Sequence, residues 1–131
     1  MAGAPNIVGV STITGVTTAY NHASNNPICL VSNPLGSERV YKINNVTISN
    51  VDTTNAGLAT VKTHAGTGSW GSNPGAGVSI SVVNQLGIAT GASIVVVDRA
   101  SSFYIQENES LSVQANVANL LNTVISYEII Q

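Results

Sequence analysis

The sequence contains little charge. Four of its 131 residues are Lys or Arg and six are Asp or Glu, so charged side chains make up 8% of the chain. That is about a third of the share in an average soluble domain. With a net charge of −2, the chain has no basic surface that could neutralise a series of phosphates. This argues against nucleic acid as a partner.

Cysteine and long apolar runs are also scarce. The single cysteine, Cys29, excludes an internal disulfide, and its place in the apolar run Pro27–Val31 predicts a buried, unreactive thiol. No apolar stretch reaches the roughly 18 residues of a membrane span, so we expect no membrane as a partner. Met1–Pro5 lacks the basic residue and apolar core of a secretory signal.

What the chain has in abundance are β-branched and neutral polar residues. Val, Ile and Thr make up about a third of it, a composition that favours strands over helices. Eight to nine short strands, separated by loops rich in turn-forming residues, can be placed along the chain. Because a single sheet would leave its apolar face in water, we predict an all-β, antiparallel two-sheet sandwich, jelly-roll-like or a similar Greek key. Residues 1–20 are interpreted as an N-terminal arm or first strand, and residues 21–131 as one domain.

The longest predicted strand, Arg39–Val51, changes its alternation. Tyr41 and Ile43 share one face, whereas Val46 and Ile48 fall in the opposite phase. A bulge near Asn44 and Asn45 would explain the change, because one extra residue reverses every later side chain. Burial of both faces of the strand would explain it equally well.

Groups that could perform catalysis or bind a metal are few. His22 and His64 both lie in loop-like segments, and either could orient a serine beside Asp52 or Asp98, but no nucleophile-elbow motif is present. Two histidines without a spacing motif also indicate no zinc site. Glu107 and Glu109 flank a turn, and their spacing matches no standard calcium loop. We therefore expect no enzyme activity, no catalytic residues, no metal and no cofactor.

The only tryptophan, Trp70, lies in a glycine-rich segment between His64 and Gly77 that gives no strand signal. Loops of this length usually carry function or flexibility. Trp70 could anchor a subunit or partner contact, stack on a sugar, or fold back onto its own domain. The sequence leaves these three interpretations open.

The second half of the chain resembles small β-sandwich virion proteins of tailed bacteriophages, especially those of cyanophages and related marine phages. The resemblance is carried by Ser93–Asp98, Phe103–Ala115, Ala118-Asn119 and Val124–Ile130, and Arg39–Asp52 also fits the pattern. In the family pattern Gly-Asp is commoner where Asn108-Glu109 stands here. The resemblance implies a structural protein of the virion, assembled in the host cytoplasm, and it implies no catalytic residue.

From the low charge and this resemblance we predict a capsid decoration or cement protein. Its expected partners are its own copies, as a homotrimer, and the major capsid protein or other virion proteins. Asn6, Ile7 and Val8 of the arm, together with Trp70, are the predicted contact residues, because extended arms and long loops become ordered on binding. The alternatives are a neck or tail adaptor or fibre-base subunit, and a carbohydrate- or host-surface-binding module.

Overall fold

The protein is built from nine strands, as seen in a computed structural model that describes residues 12–75 and 77–131. A single 3-10 turn, Arg99–Ser101, is also present. The strands are β1 (Ile13–Asn21), β2 (Ile28–Asn33), β3 (Val40–Asn50), β4 (Gly57–His64), β5 (Ser79–Ile88), β6 (Ser93–Val97), β7 (Phe103–Ile105), β8 (Glu109–Ala115) and β9 (Leu121–Ile130). The all-β class predicted from composition is confirmed.

The strands form two antiparallel sheets. The five-stranded sheet has the order β1-β9-β3-β6, with β7 also paired to β3, and the four-stranded sheet has the order β2-β8-β4-β5. Because β6 and β7 pair with successive parts of β3, they act as one edge strand that the 3-10 turn interrupts. When β6 and β7 are counted as one strand, β1 pairs with β9, β2 with β8, β3 with β6 and β7, and β4 with β5. This nested order is that of a jelly roll, which confirms the predicted sandwich.

The core lies between the two sheets and is almost entirely aliphatic. Strand residues that alternate along each sheet contribute its largest fully buried side chains, which include Leu30, Ile43, Ile48, Val61, Leu111 and Ile125. Each such side chain contributes roughly 1.5–3 kcal/mol when it leaves water. The sequence alternation predicts that Leu111, Val113, Ala115 and Val117 share a packed face. The first three are fully buried, but Val117 lies beyond the end of β8 and is 49% exposed, so the prediction is wrong for that residue.

A bulge explains the change of phase in β3. The register with β9 shifts between Ile43 and Asn45, so Asn44 is the extra residue. Ile43 and Val46 are consequently both buried, although they are three positions apart and would point to opposite faces of a regular strand. The first of the two explanations for the Arg39–Val51 pattern is therefore correct.

Two buried asparagines terminate strands. The Asn33 side chain, at the end of β2, donates to the carbonyl oxygens of Arg39 (2.9 Å) and Ile105 (3.2 Å). The Asn50 side chain, at the end of β3, donates to the carbonyl oxygens of Asn55 (2.9 Å) and Ile88 (3.0 Å). Both amides satisfy backbone groups of neighbouring segments that would otherwise be buried without a partner. They thereby join the strand ends to adjacent loops.

The N-terminal part of the described chain belongs to the sandwich. β1 pairs with β9 along its whole length, from Ile13 opposite Ile130 to Asn21 opposite Asn122. The predicted arm contacts Asn6, Ile7 and Val8 lie outside the described residues.

Candidate assembly surfaces

A long loop closes one side of the sandwich. We call residues 65–77 the 65–77 loop; its residue 76 is not described. Its backbone pairs with β2, because the Cys29 N–H donates to the Ser72 carbonyl oxygen and the Gly71 N–H donates to the Cys29 carbonyl oxygen, both at 2.8 Å. The loop thus covers the edge of β2 with hydrogen bonds that a neighbouring strand would otherwise make.

Trp70 connects this loop to the opposite sheet. Its indole N–H donates to Thr18 Oγ1 of β1 (3.0 Å), and its ring meets the Tyr20 ring edge-on with centroids 5.6 Å apart. The side chain is still 56% exposed. Trp70 therefore packs on its own domain and also presents an aromatic surface to solvent, so its role as a partner contact stays a prediction.

The 65–77 loop also covers polar groups on the outer face of β4 and β8. Ser110 Oγ donates to the Gly66 carbonyl oxygen (2.6 Å), and His64 Nε2 is hydrogen-bonded to Ser112 Oγ (2.7 Å). His64, Ser110 and Ser112 are all buried. Burial and the nearby Lys62 charge both lower the pKa of His64. The alternation of the sequence predicts a polar, outward face for Ser112, but its side chain is buried against His64.

His22 lies just beyond the end of β1, at the other sheet, and has different partners. It is fully buried just after β1, with its Nε2 2.8 Å from Thr123 Oγ1 and the Tyr20 ring edge-on at 5.0 Å. Burial lowers the pKa of His22 to about 4. The structure does not bring His22 and His64 together, since one lies beyond β1 and the other at the end of β4.

Asp52 and Asp98, the carboxylates considered as partners of these histidines, stabilise their own turns. Asp52 accepts the backbone N–H groups of Asn55 and Thr54, and these bonds lower its pKa. Asp98 caps the 3-10 turn, and its hydrogen bonds with the Ser101 hydroxyl and backbone N–H lower its pKa. Neither aspartate is hydrogen-bonded to a histidine in the part of the chain that the structure describes.

The two glutamates of the acidic turn are also engaged by the backbone. Glu107 accepts the Glu38 N–H, and Glu109 accepts the Gln106 N–H at 2.8 Å. Asn108 between them has a φ of +60°, a conformation that asparagine tolerates. Across residues 12–75 and 77–131, no three His, Cys, Asp or Glu side chains lie together as a metal site would require.

The outer face of the five-stranded sheet is almost uncharged. Cross-strand register aligns Ala19, Val124, Thr47 and Val95 in one row across four strands. Neighbouring rows carry Ser, Thr and Asn side chains, with bonds between hydroxyls such as Thr17 to Ser126 and Ser49 to Ser93. Among the strand residues of this sheet only Lys42 and Glu128 are charged, and they lie opposite each other. This face could contact another protein without desolvating many charges.

A shallow depression of about 280 Å³ lies on the β1–β9 pair. Its lining consists of neutral residues: Ala19, Tyr20, Asn21, Asn122, Thr123 and Val124. This depression therefore offers hydrogen-bonding groups and apolar contact to whatever it meets.

The side of the sandwich formed by β5 and β6 differs from the β2 side. Gly77–Val97, which includes both strands, contains no charged residue and no proline. Several of its apolar side chains face solvent, with Val78 74%, Ile80 64% and Val95 54% exposed. Proteins usually protect edge strands with lysine, proline or a covering loop. The first two are absent here.

Comparison with known proteins gives no family. No family model and no curated protein matches the chain. A solved structure of Bacillus endospore appendages, described as disulfide-linked pili, has a TM-score of 0.44 and 10% identity over 99% of this chain and 97% of its own. A chain of the T13 IBDV viral particle has a TM-score of 0.46 and 8% identity over 88% of this chain and 31% of its own. The jelly-roll assignment rests on the strand order of this chain alone.

In the described ranges no helix is long and apolar enough to span a membrane.

Proposed function

We propose that this protein is a structural subunit of a larger protein assembly. The observation that carries the proposal is the set of exposed apolar side chains on surfaces that no described loop of the chain covers. They include Val78, Ile80 and Val95 near the β5–β6 side and Val124, 41% exposed, at the centre of the five-stranded sheet. Soluble monomers depend on interspersed surface charge to remain apart, and these surfaces have almost none.

The specific form of the proposal is a tailed-phage virion protein that decorates or cements the capsid. The sequence resemblance supports it, and so does the neutral surface. Such a protein would bind at junctions between major capsid subunits and bury additional area there. A standard interface of about 1,600 Å² in total is sufficient for stable attachment when well packed. The predicted virion location and absence of catalysis belong to the same proposal.

The hydrogen-bonding pattern of the polar side chains supports a role without chemistry. Each of the two histidines is buried against a hydroxyl, and the four carboxylates considered above bind backbone N–H groups of turns. A general acid or base must reach a substrate proton, and a nucleophile must be accessible. These groups are instead used to hold the fold.

The test is reconstitution on phage heads. Purified protein is mixed with heads of the parent phage that lack it, and occupancy is measured by co-sedimentation and cryo-electron microscopy. We expect ordered binding at capsid junctions and greater resistance of the heads to heat. A monodisperse monomer that never binds heads would contradict the proposal, whereas binding only at the neck or tail would support the adaptor alternative.

A second assay distinguishes the carbohydrate-binding alternative. Wild-type protein and Trp70→Ala are compared on a glycan array and in the head-binding assay. Loss of glycan binding in the variant would support a carbohydrate-binding module. Absence of glycan binding in both proteins, with normal head binding by the wild type, would support the structural role.

A further inference from the structure

In the described chain, β5 is the most exposed edge strand, and its outer side is unpaired. β5 pairs with β4 on one side only and ends the four-stranded sheet on the other. The β2 edge of the same sheet is paired by the 65–77 loop, and β1 has Trp70 packed against it. The fold thus covers one side of the sandwich and leaves the β5 side open.

Side-chain order on this edge is symmetric. Val78, Ser79, Ile80, Ser81 and Val82 alternate between apolar and hydroxyl side chains around Ile80. The apolar members are 74%, 64% and 38% exposed, respectively. Residues two apart in a strand share a face, so reversing the direction of this segment leaves its pattern unchanged. A segment of this kind is complementary to itself.

We infer that two copies of this protein pair antiparallel along β5, about a two-fold axis at Ile80. In this register Ile80 lies opposite Ile80 of the second copy, Val78 lies opposite Val82, and Ser79 lies opposite Ser81. Apolar and hydroxyl cross-strand pairs of these kinds stabilise antiparallel strands. The inference rests on the proposed function, because it specifies how one copy contacts another.

Charge is the reason for choosing a second copy as the partner. In a two-fold contact each residue near the axis faces its own equivalent, so a charged residue there would face a like charge. Gly77–Val97 contains no charged residue, so no like charges would meet at the axis. For the same reason, a partner that is recognised by ionic contacts would find no charge to pair with here. An uncharged, self-complementary edge fits its own copy.

The bulges of β5 limit the contact. The register with β4 shifts between Val61 and Lys62, opposite Val82, and again between Ala59 and Val61, where Gln85 has a φ of +52°. Bulges bend and twist an edge strand away from a straight partner. Because Val82 is the bulged residue, regular backbone pairing is confined to Ser79, Ile80 and Ser81. The side chains of Val78 and Val82 add contact area at the two ends of this short pairing.

The test combines mass and cross-linking. Light scattering is used to measure the wild type, Ile80→Lys and the control Leu35→Lys, which changes an equally exposed side chain in the turn after β2. We expect two copies for the wild type and the control, and one copy for Ile80→Lys because two ammonium groups would meet at the axis. Circular dichroism of each variant verifies that it is folded.

Cysteine scanning tests the register. The native Cys29 is fully buried, so a new cysteine reports its own position. Opposite Cα atoms in an antiparallel pair are about 4.5–5.5 Å apart, within the range that a disulfide can bridge. We expect Ile80→Cys to form a disulfide-linked dimer, Val78→Cys and Val82→Cys to cross-link only when mixed, and Val95→Cys to remain monomeric under denaturing conditions.

The outcomes separate this inference from the proposed function. A wild-type oligomer that is unchanged by Ile80→Lys, or the homotrimer predicted from the sequence, would overturn the β5 pairing and leave the assembly role intact. A wild-type monomer that binds phage heads would also overturn the β5 pairing and leave the assembly role intact. A monomer that binds no heads would overturn both.

Discussion

Acid should destabilise this protein through His22. The imidazole is fully buried, its Nε2 is hydrogen-bonded to Thr123, and its Nδ1 is buried without a hydrogen-bond partner. Protonation gives both ring nitrogens an N–H, so the charged form would carry a buried, unpaired donor. This is why burial lowers the pKa from 6.5 to about 4.

The sign and size of the effect follow from this pKa shift. Above pH 6.5 the imidazole is neutral in both the folded and the unfolded chain, so the free energy of unfolding is at its maximum for this group. As the pH falls from 6.5 to about 4, only the unfolded chain takes up the proton, and stability is lost. The full loss is about 3 kcal/mol, which would lower a urea midpoint by about 1–3 M.

The assay is urea denaturation of the wild type, His22→Gln and His64→Gln between pH 8 and pH 4.5. Glutamine keeps a group that can hydrogen-bond but does not titrate. We expect the midpoint of the wild type to fall steeply with acid and that of His22→Gln to fall much less. The pKa of His64 is also lowered, so His64→Gln measures how much His64 contributes to the loss of stability in acid. Parallel curves for the wild type and His22→Gln would refute the reasoning.

The aspartates do not interfere with that measurement. The pKa values of Asp52 and Asp98 are lowered below 3.8 by hydrogen bonds from their own turns. Their contribution to stability is therefore present above pH 3.8 and is lost only at lower pH.

Three further substitutions test the packing. Asn50→Asp replaces a buried amide donor with an acceptor and should cost about 2–4 kcal/mol in the free energy of unfolding, whereas the exposed Asn84→Asp should cost little. Gly68→Ala would place a Cβ in collision with the Asn73 backbone oxygen and should therefore release the 65–77 loop. Hydrogen exchange should then show faster exchange of the β2 amides. The control Gly15→Ala has nothing within 4 Å of its Cβ and should leave exchange unchanged. Trp70→Phe removes one hydrogen bond and should cost about 1 kcal/mol by thermal unfolding, with Trp70→Ala costing more.

Strand content and inward faces were predictable because both are local properties. Side chains alternate with period two along a strand, so Leu111, Val113 and Ala115 could be assigned to the core from the sequence alone. The same reasoning gave a bulge near Asn44 and Asn45 as one of two explanations, since a phase change between Ile43 and Val46 is visible in the sequence. What it could not decide was whether both faces were buried, because that depends on the neighbouring strands.

The course of the 65–77 loop was not predictable. Its anchors, which include Cys29, Thr18 and Ser110, lie about 40 residues or more away along the chain, and glycine-rich segments carry no periodic signal. As a result, the burial of Ser110 beneath this loop had no signal in the sequence. His22 was assigned to a loop by its polar neighbours, yet it is fully buried beside Tyr20. The buried amides of Asn33 and Asn50 gave no sequence signal beyond their position just before turns.

The candidate surface was predictable in kind but not in place. Low charge is the basis of the prediction that the protein contacts other proteins, and that prediction needs only composition. Which strands lie at the edges depends on the pairing order, and a jelly roll separates neighbours in sequence into different sheets. Ile80 and Val95 are exposed on a common surface because β5 and β6 end their sheets on the same side of the molecule.

The irregularity of β5 bears on how a protein with so little charge avoids indefinite aggregation. A long, straight and uncharged edge would accept copy after copy, as in cross-β fibrils. Here the register shifts opposite Val82 and again near Gln85, so only a short segment remains straight enough to pair. In a contact about a two-fold axis both copies pair through the same edge, so no β5 edge is left to bind a third copy. The bulges and the symmetry of the Val78–Val82 segment together favour a finite complex over a fibre.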